Sequence, residues 1–181
     1  TTRPTTRPLL GSAIAAGPLF LTAGVTQGLL RDGYDFTRNA ISQLSLGDLG
    51  WIQKTSFMLT GALIILGAAG IRQALNGGPG STWAPRLIAV FGASFLVSAV
   101  FTADPGAGFP PGTTQGPATS ISTSGTVHML AGIAGYLALC AAFLVLARHF
   151  STQAQRVWAT TSRTIPAAIL TGFAASATNV L

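Results

Sequence analysis

Leu9–Leu30 reads LLGSAIAAGPLFLTAGVTQGLL, 22 residues without a charged side chain. At about 1.5 Å per residue, a helix of that length crosses a hydrocarbon core of about 30 Å. A cleaved signal peptide is the rival reading, because Arg3 and Arg7 precede the run. The run is long for that role, and more like it follow. Thr55–Ile71 lies between Lys54 and Arg72, Leu87–Ala103 follows Arg86, and Val127–Ala147 and Thr164–Leu181 complete the set, with 17, 17, 21 and 18 residues. The five runs take up 95 of the 181 residues. Barrel strands are about ten residues of alternating character, and none of these runs alternates. The expected fold is therefore all-α: a polytopic transmembrane bundle of five spans forming one domain over residues 9–181. A disordered tail, residues 1–8, precedes it and carries TTRP twice.

Composition agrees with the pattern. Charged residues make up 8% of the chain and hydrophobic ones 49%, and there is no glutamate; a soluble domain carries roughly a quarter charged residues. The net charge of +6 comes from ten basic residues scattered singly, without the stripe that nucleic acid would require. They flank the apolar runs instead, which makes membrane lipid the first expected partner and nucleic acid no partner. An N-terminus in the cytoplasm puts seven Lys and Arg inside and three outside, so the reading is a multi-pass protein of the cell membrane with its N-terminus cytoplasmic. Asp32, Asp35, Asp48 and Asp104 then all lie on the non-cytoplasmic side. The lone Cys140 sits within the fourth run and has no partner for an intramolecular disulfide. The fifth run ends near Thr178-Asn179 without a charged or aromatic anchor, which suggests a sixth span beyond Leu181.

Two outer segments hold the candidate site. Arg31–Gly50 reads RDGYDFTRNAISQLSLGDLG. Asp35 is suited to cap a helix, Ile41 and Leu44 share a face, and Gly47 can end the turn, so a short interfacial helix is expected. In one reading Tyr34, Phe36 and Trp51 form an aromatic belt and Arg38 pairs with Asp35. In the other, Asp35, Arg38, Ser42 and Gln43 line the mouth of a cavity, with Trp51 and Tyr136 as further ligand contacts. The second segment, Asp104–Thr126, is rich in Gly, Pro, Ser and Thr and reads as an irregular lid. Asp104 comes immediately after the third run and His128 stands at the start of the fourth, so the two can meet as an acid–base couple in which the carboxylate orients the imidazole. The structural alternative is a hydrogen bond tying two helix ends together, or Asp104 capping a turn before Pro105.

Metal and cofactor chemistry find no support. His128 and His149 are 21 residues apart on one helix, about 31 Å along its axis, so they cannot share a metal or a haem. Gly24 with Gly28, Ser94 with Ser98, and Ala131 with Gly135 are small-residue pairs suited to close helix packing.

The run Asp35-Phe-Thr-Arg-Asn-Ala-Ile-Ser-Gln-Leu-Ser-Leu-Gly-Asp-Leu-Gly-Trp51 resembles the signature of a bacterial and archaeal membrane family catalogued as domain of unknown function 998. Asp104-Pro105, Phe109-Pro110 and His128 match that family's pattern after the third helix and at the start of the fourth. The resemblance implies about six helices and a shared polar cluster on the outer face, and it implies no established activity. Three functions stay open: binding of a lipid or small hydrophobic molecule, an Asp/His membrane enzyme, and a scaffold or assembly subunit, with homo-oligomers compatible with each.

Overall fold

The computed structural model describes residues 4–116 and 120–178, with side chains as far as Phe173 in the last helix. The start of the tail, and Asn179 with the end of the fifth run, lie outside the described residues. Among the described residues five α-helices follow one another: α1 (Thr6–Leu30), α2 (Gly50–Leu75), α3 (Trp83–Val100), α4 (Thr123–Thr152) and α5 (Arg156–Thr178). Each packs against the next in the chain, as short connections favour. Four of them, α1 to α4, are long and apolar enough to cross a membrane. The sequence had suggested five spans. α5 is long enough, but Arg156, Arg163 and Thr160-Thr161-Ser162 make it more polar than the rest.

The helices run past the apolar stretches. α1 takes in Thr6–Pro8, assigned above to the tail, because a proline in the first turn forfeits no hydrogen bond and the Thr6 hydroxyl donates to Gln73 Oε1 at 2.8 Å. α2 begins at Gly50 and includes Trp51, Gln53 and Lys54.

Glycines set the spacing between helices. A Cβ on Gly67 would lie 2.5 Å from the Ala13 Cβ, and one on Gly70 would lie 2.9 Å from Leu9 and Leu10, so α1 and α2 touch nearly backbone to backbone. Gly61 and Gly92 do the same for α2 and α3, and Gly135 against Ser94 for α3 and α4. Gly24 and Gly28 have a different role from the helix packing expected of them. They receive Ile41, and Phe36 with Tyr34, from the segment that follows α1.

Within this frame Phe20, Phe57, Phe91 and Phe95 form a connected ring cluster with centroids 5.1–5.8 Å apart. Beside it runs a buried polar strip. Gln27 Nε2 donates to Ala23 O at 3.0 Å and to Gln53 Oε1 at 2.8 Å, while Gln27 Oε1, Gln53 Nε2, Ser56 Oγ and Thr60 Oγ1 have no partner among the described residues. Buried polar atoms left unpaired are costly, whereas removing both members of a pair can be neutral. Gln53→Leu alone is therefore expected to destabilise by about 1 kcal/mol, and Gln27→Leu with Gln53→Leu by less than the single change. Thermal unfolding in detergent checks this, and a double variant less stable than the single one would contradict it.

The charges separate between the ends. One end holds Arg7, Arg72, Arg86, Arg148, Arg156 and Arg163; the other holds all four aspartates with Arg31, Arg38 and Lys54. At the basic end His149 is buried, donating from Nδ1 to Pro79 O at 2.8 Å and accepting from Gln153 Nε2 at 3.1 Å, which fastens the α2–α3 turn to α4.

Candidate functional site

The end that holds the aspartates is closed by two segments folded onto each other. Ile41–Ser45 forms a 3-10 turn, and the hairpin of residues 106–116 lies against it. Asn39 Nδ2 donates to Ala107 O at 3.2 Å, Gln43 Nε2 to Gly106 O at 3.1 Å, and Arg38 Nη1 to Gln115 Oε1 at 2.9 Å. Phe109, fully buried, is held between Tyr34, edge-on at 5.3 Å, and the Arg31 guanidinium, 4.8 Å from the ring centroid. Burial raises the Tyr34 hydroxyl to about 12 and lowers the Arg31 guanidinium, the latter partly offset by Asp48.

The expected interfacial helix is thus one 3-10 turn, and Asp35 does not cap it. Asp35 Oδ1 accepts from Thr37 N at 2.8 Å and Thr37 Oγ1 at 2.7 Å, and these bonds, more than Arg38 at 3.7 Å, hold its carboxyl below the usual value. Gln43 caps instead, its Oε1 accepting from Ala40 N at 3.1 Å. Asp35, Arg38 and Gln43 belong to the cap. Trp51 is exposed on the first turn of α2, where an aromatic belt residue would sit.

Asp104 and His128 are each engaged, though not with one another. Asp104 Oδ2 accepts from Ser122 N at 3.0 Å and sits against Gly125, where any side chain would collide with it. The carboxylate thus lies on the first turn of α4, where the helix dipole favours negative charge. Ser122 Oγ, accepting from Gly125 N at 2.9 Å, completes the cap. His128 turns to α3. That helix ends at Phe101, whose extended backbone leaves its carbonyl outside the helical ladder, and His128 Nδ1 meets this oxygen at 2.8 Å. A carbonyl only accepts, so Nδ1 carries the proton and Nε2 of the neutral ring is an acceptor.

Below the cap lies a cavity of about 430 Å³, walled by Phe20, Phe57 and Phe95 and also lined by Ser42, Ser98, His128 and Tyr136. His128, Gly132 and Tyr136 recur every fourth residue and so share one face of α4. Nothing lies within 4 Å of where a Gly132 Cβ would be, so the space between the two rings is open. His128 and Tyr136 are about 12 Å apart along the helix. Ser94 Oγ is occupied by Phe91 O at 2.7 Å. His128 Nε2, the Tyr136 hydroxyl, Ser42 Oγ and Ser98 Oγ have no hydrogen-bond partner among the described residues.

Of the residues singled out in the sequence, Ser42, His128 and Tyr136 therefore share one cavity. Its aromatic wall, and Gly132 as the gap between two polar groups, went unread, although the fourfold spacing of 128, 132 and 136 is visible in the chain. The family described as "Protein of unknown function (DUF998)" matches residues 14–181. The chain belongs to this family. No curated protein and no solved structure matches it. The DUF998 match runs from Ile14, within α1, through α5, so cap, cavity and ring cluster all lie within the family's own extent.

Proposed function

We propose that this DUF998 protein binds a lipid or small hydrophobic molecule in the cavity beneath its cap. In this reading the N-terminus is cytoplasmic, α5 is a fifth crossing, and the cap faces away from the cytoplasm of the cell membrane. The observation that carries it is an aromatic-walled space with four polar groups that have no partner among the described residues. Ligand sites are typically apolar enclosures with a few convergent polar groups. The ligand has an apolar body of about 12 Å, the span from His128 to Tyr136 at the helical rise, with a donor for His128 Nε2 and an acceptor for the Tyr136 hydroxyl.

Binding is favoured over catalysis by what orients His128. A neutral carbonyl fixes its tautomer but lends no charge, and the carboxylate of Asp104 is engaged at the α4 terminus. His128 then serves as a hydrogen-bond acceptor.

Native mass spectrometry of the protein purified gently from its own membranes tests this. A Cβ at position 132 meets nothing within 4 Å, so Gly132→Leu should occupy the open space and abolish a discrete bound mass without lowering the unfolding temperature. His128→Ala, losing one hydrogen bond of about 1 kcal/mol, should weaken retention about fivefold. No bound mass, or one held equally by Gly132→Leu, would overturn the reading.

A further inference from the structure

The basic end has no acidic residue to answer its arginines, since every aspartate of the chain lies at the other end and glutamate is absent. Counter-charge for Arg72 and Arg86 has to come from another molecule. Two adjoining recesses between α2 and α3 share Ala69, Arg72 and Thr82 in their walls. The first, about 590 Å³, is polar and adds Gln73, Asn76 and Ser81. The second, about 240 Å³, continues along the helices between Ile65 and Ala89 and adds Arg86.

Three further features favour an anion there. α3 starts beside Arg72 with no acidic residue in its first turn and no capping side chain; the Ala84 N–H is taken by Gly80 O at 3.0 Å and Pro85 has none, so what this end offers an anion is the positive pole of the helix dipole. Gln73 Oε1 accepts the Thr5 and Thr6 hydroxyls at 3.3 and 2.8 Å, and the amide N–H groups of Gln73 have no partner among the described residues. Arg86 lies 5.8 Å from the centroid of the exposed Trp83 ring, the kind of aromatic that sits at headgroup level.

We propose that the double recess holds an anionic phospholipid, its phosphate at Arg72, Arg86 and Thr82 and part of an acyl chain in the groove between Ile65 and Ala89. The apolar continuation is what selects a lipid over free phosphate: inorganic phosphate uses the polar recess alone, whereas a lipid fills both. The site lies at the opposite end from the cavity under the cap and does not depend on it.

The test adds phosphatidylglycerol or phosphatidylcholine of identical acyl chains to delipidated full-length protein in detergent and counts adducts by native mass spectrometry. Phosphatidylglycerol should be retained preferentially. Arg72→Gln with Arg86→Gln should weaken that retention by about thirtyfold, each arginine at a membrane surface contributing about fivefold. Arg148→Gln, a charge control at the same end outside the recess, should retain the lipid like the wild type. A double variant that unfolds is replaced by Thr82→Val and Ala89→Phe, which blunt the phosphate contact and block the groove; both should reduce adducts. Equal retention of the two lipids, or adducts indifferent to all these changes, would overturn the proposal. So would inorganic phosphate raising the unfolding temperature as much as phosphatidylglycerol does, which would mark a soluble anion site.

Discussion

Arg31→Ala is expected to lower the stability of the folded protein by about 3 kcal/mol and to expose the hairpin of residues 106–116 to protease. The guanidinium donates from Nη1 to Leu44 O at 2.5 Å and from Nη2 to Leu46 O at 2.6 Å, satisfying carbonyls at the end of the 3-10 turn. Its plane also faces the Phe109 ring, 4.8 Å from the centroid. Hydrogen bonds from a charged donor contribute about 1.5–3 kcal/mol each and a cation–π contact about 1 kcal/mol. The sum is discounted because Arg31 is only half-buried and loses hydration, the main reason its pKa is lowered. Arg31→Lys should recover less than half of the loss, because an ammonium cannot span two carbonyls and stack on a ring at once. Thermal unfolding and limited proteolysis read both effects. A variant with a wild-type transition and a protected hairpin would show that the cap closes without this side chain.

Arg31 also marks what the chain reveals before it folds. The helices were legible because an apolar run bounded by charges is a local signal, and the separation of acidic and basic residues between the two ends was legible for the same reason. The run after Arg163 has the composition of a span, but the helix that contains it starts at Arg156 and carries both arginines. In the site, Ser42, His128 and Tyr136 could be singled out as polar or amphipathic residues near an apolar stretch. Their partners could not. The Phe101 carbonyl that takes His128 Nδ1 is free only because α3 stops there, and Asp104 is drawn to α4 by a backbone N–H 18 residues away. Backbone groups of distant segments carry no sequence identity, so an Asp and a His at two adjacent helix ends look like a couple until both ends have been built. The same limit hid the role of Gly28, which serves aromatic rings from a loop.

The Gly61–Gly92 crossing gives the largest expected loss. Alanine normally gains about 1 kcal/mol over glycine within a helix, and Gly17→Ala should follow that rule because nothing lies within 4 Å of its new methyl group. Gly92→Ala should go the other way. Its Cβ would meet Ile65 Cγ1 at 2.8 Å and Gly61 O at 2.9 Å, and the second of these is backbone that cannot swing aside. Overpacking of this kind costs about 1–3 kcal/mol for a methyl group, and Gly92→Leu should prevent the folded protein from accumulating. Chemical unfolding of Gly17→Ala and Gly92→Ala in the same detergent gives the decisive sign: opposite shifts are expected, and two stabilising shifts would mean that α2 and α3 are not packed this closely. The consequence reaches the cavity. Phe57 precedes Gly61 by four residues and Phe95 follows Gly92 by three, so both rings lie about one turn from the crossing on the faces that meet there. Prying the helices apart separates the two rings of the aromatic wall, and Gly92→Ala should therefore release any bound mass from beneath the cap even at temperatures where the protein remains folded.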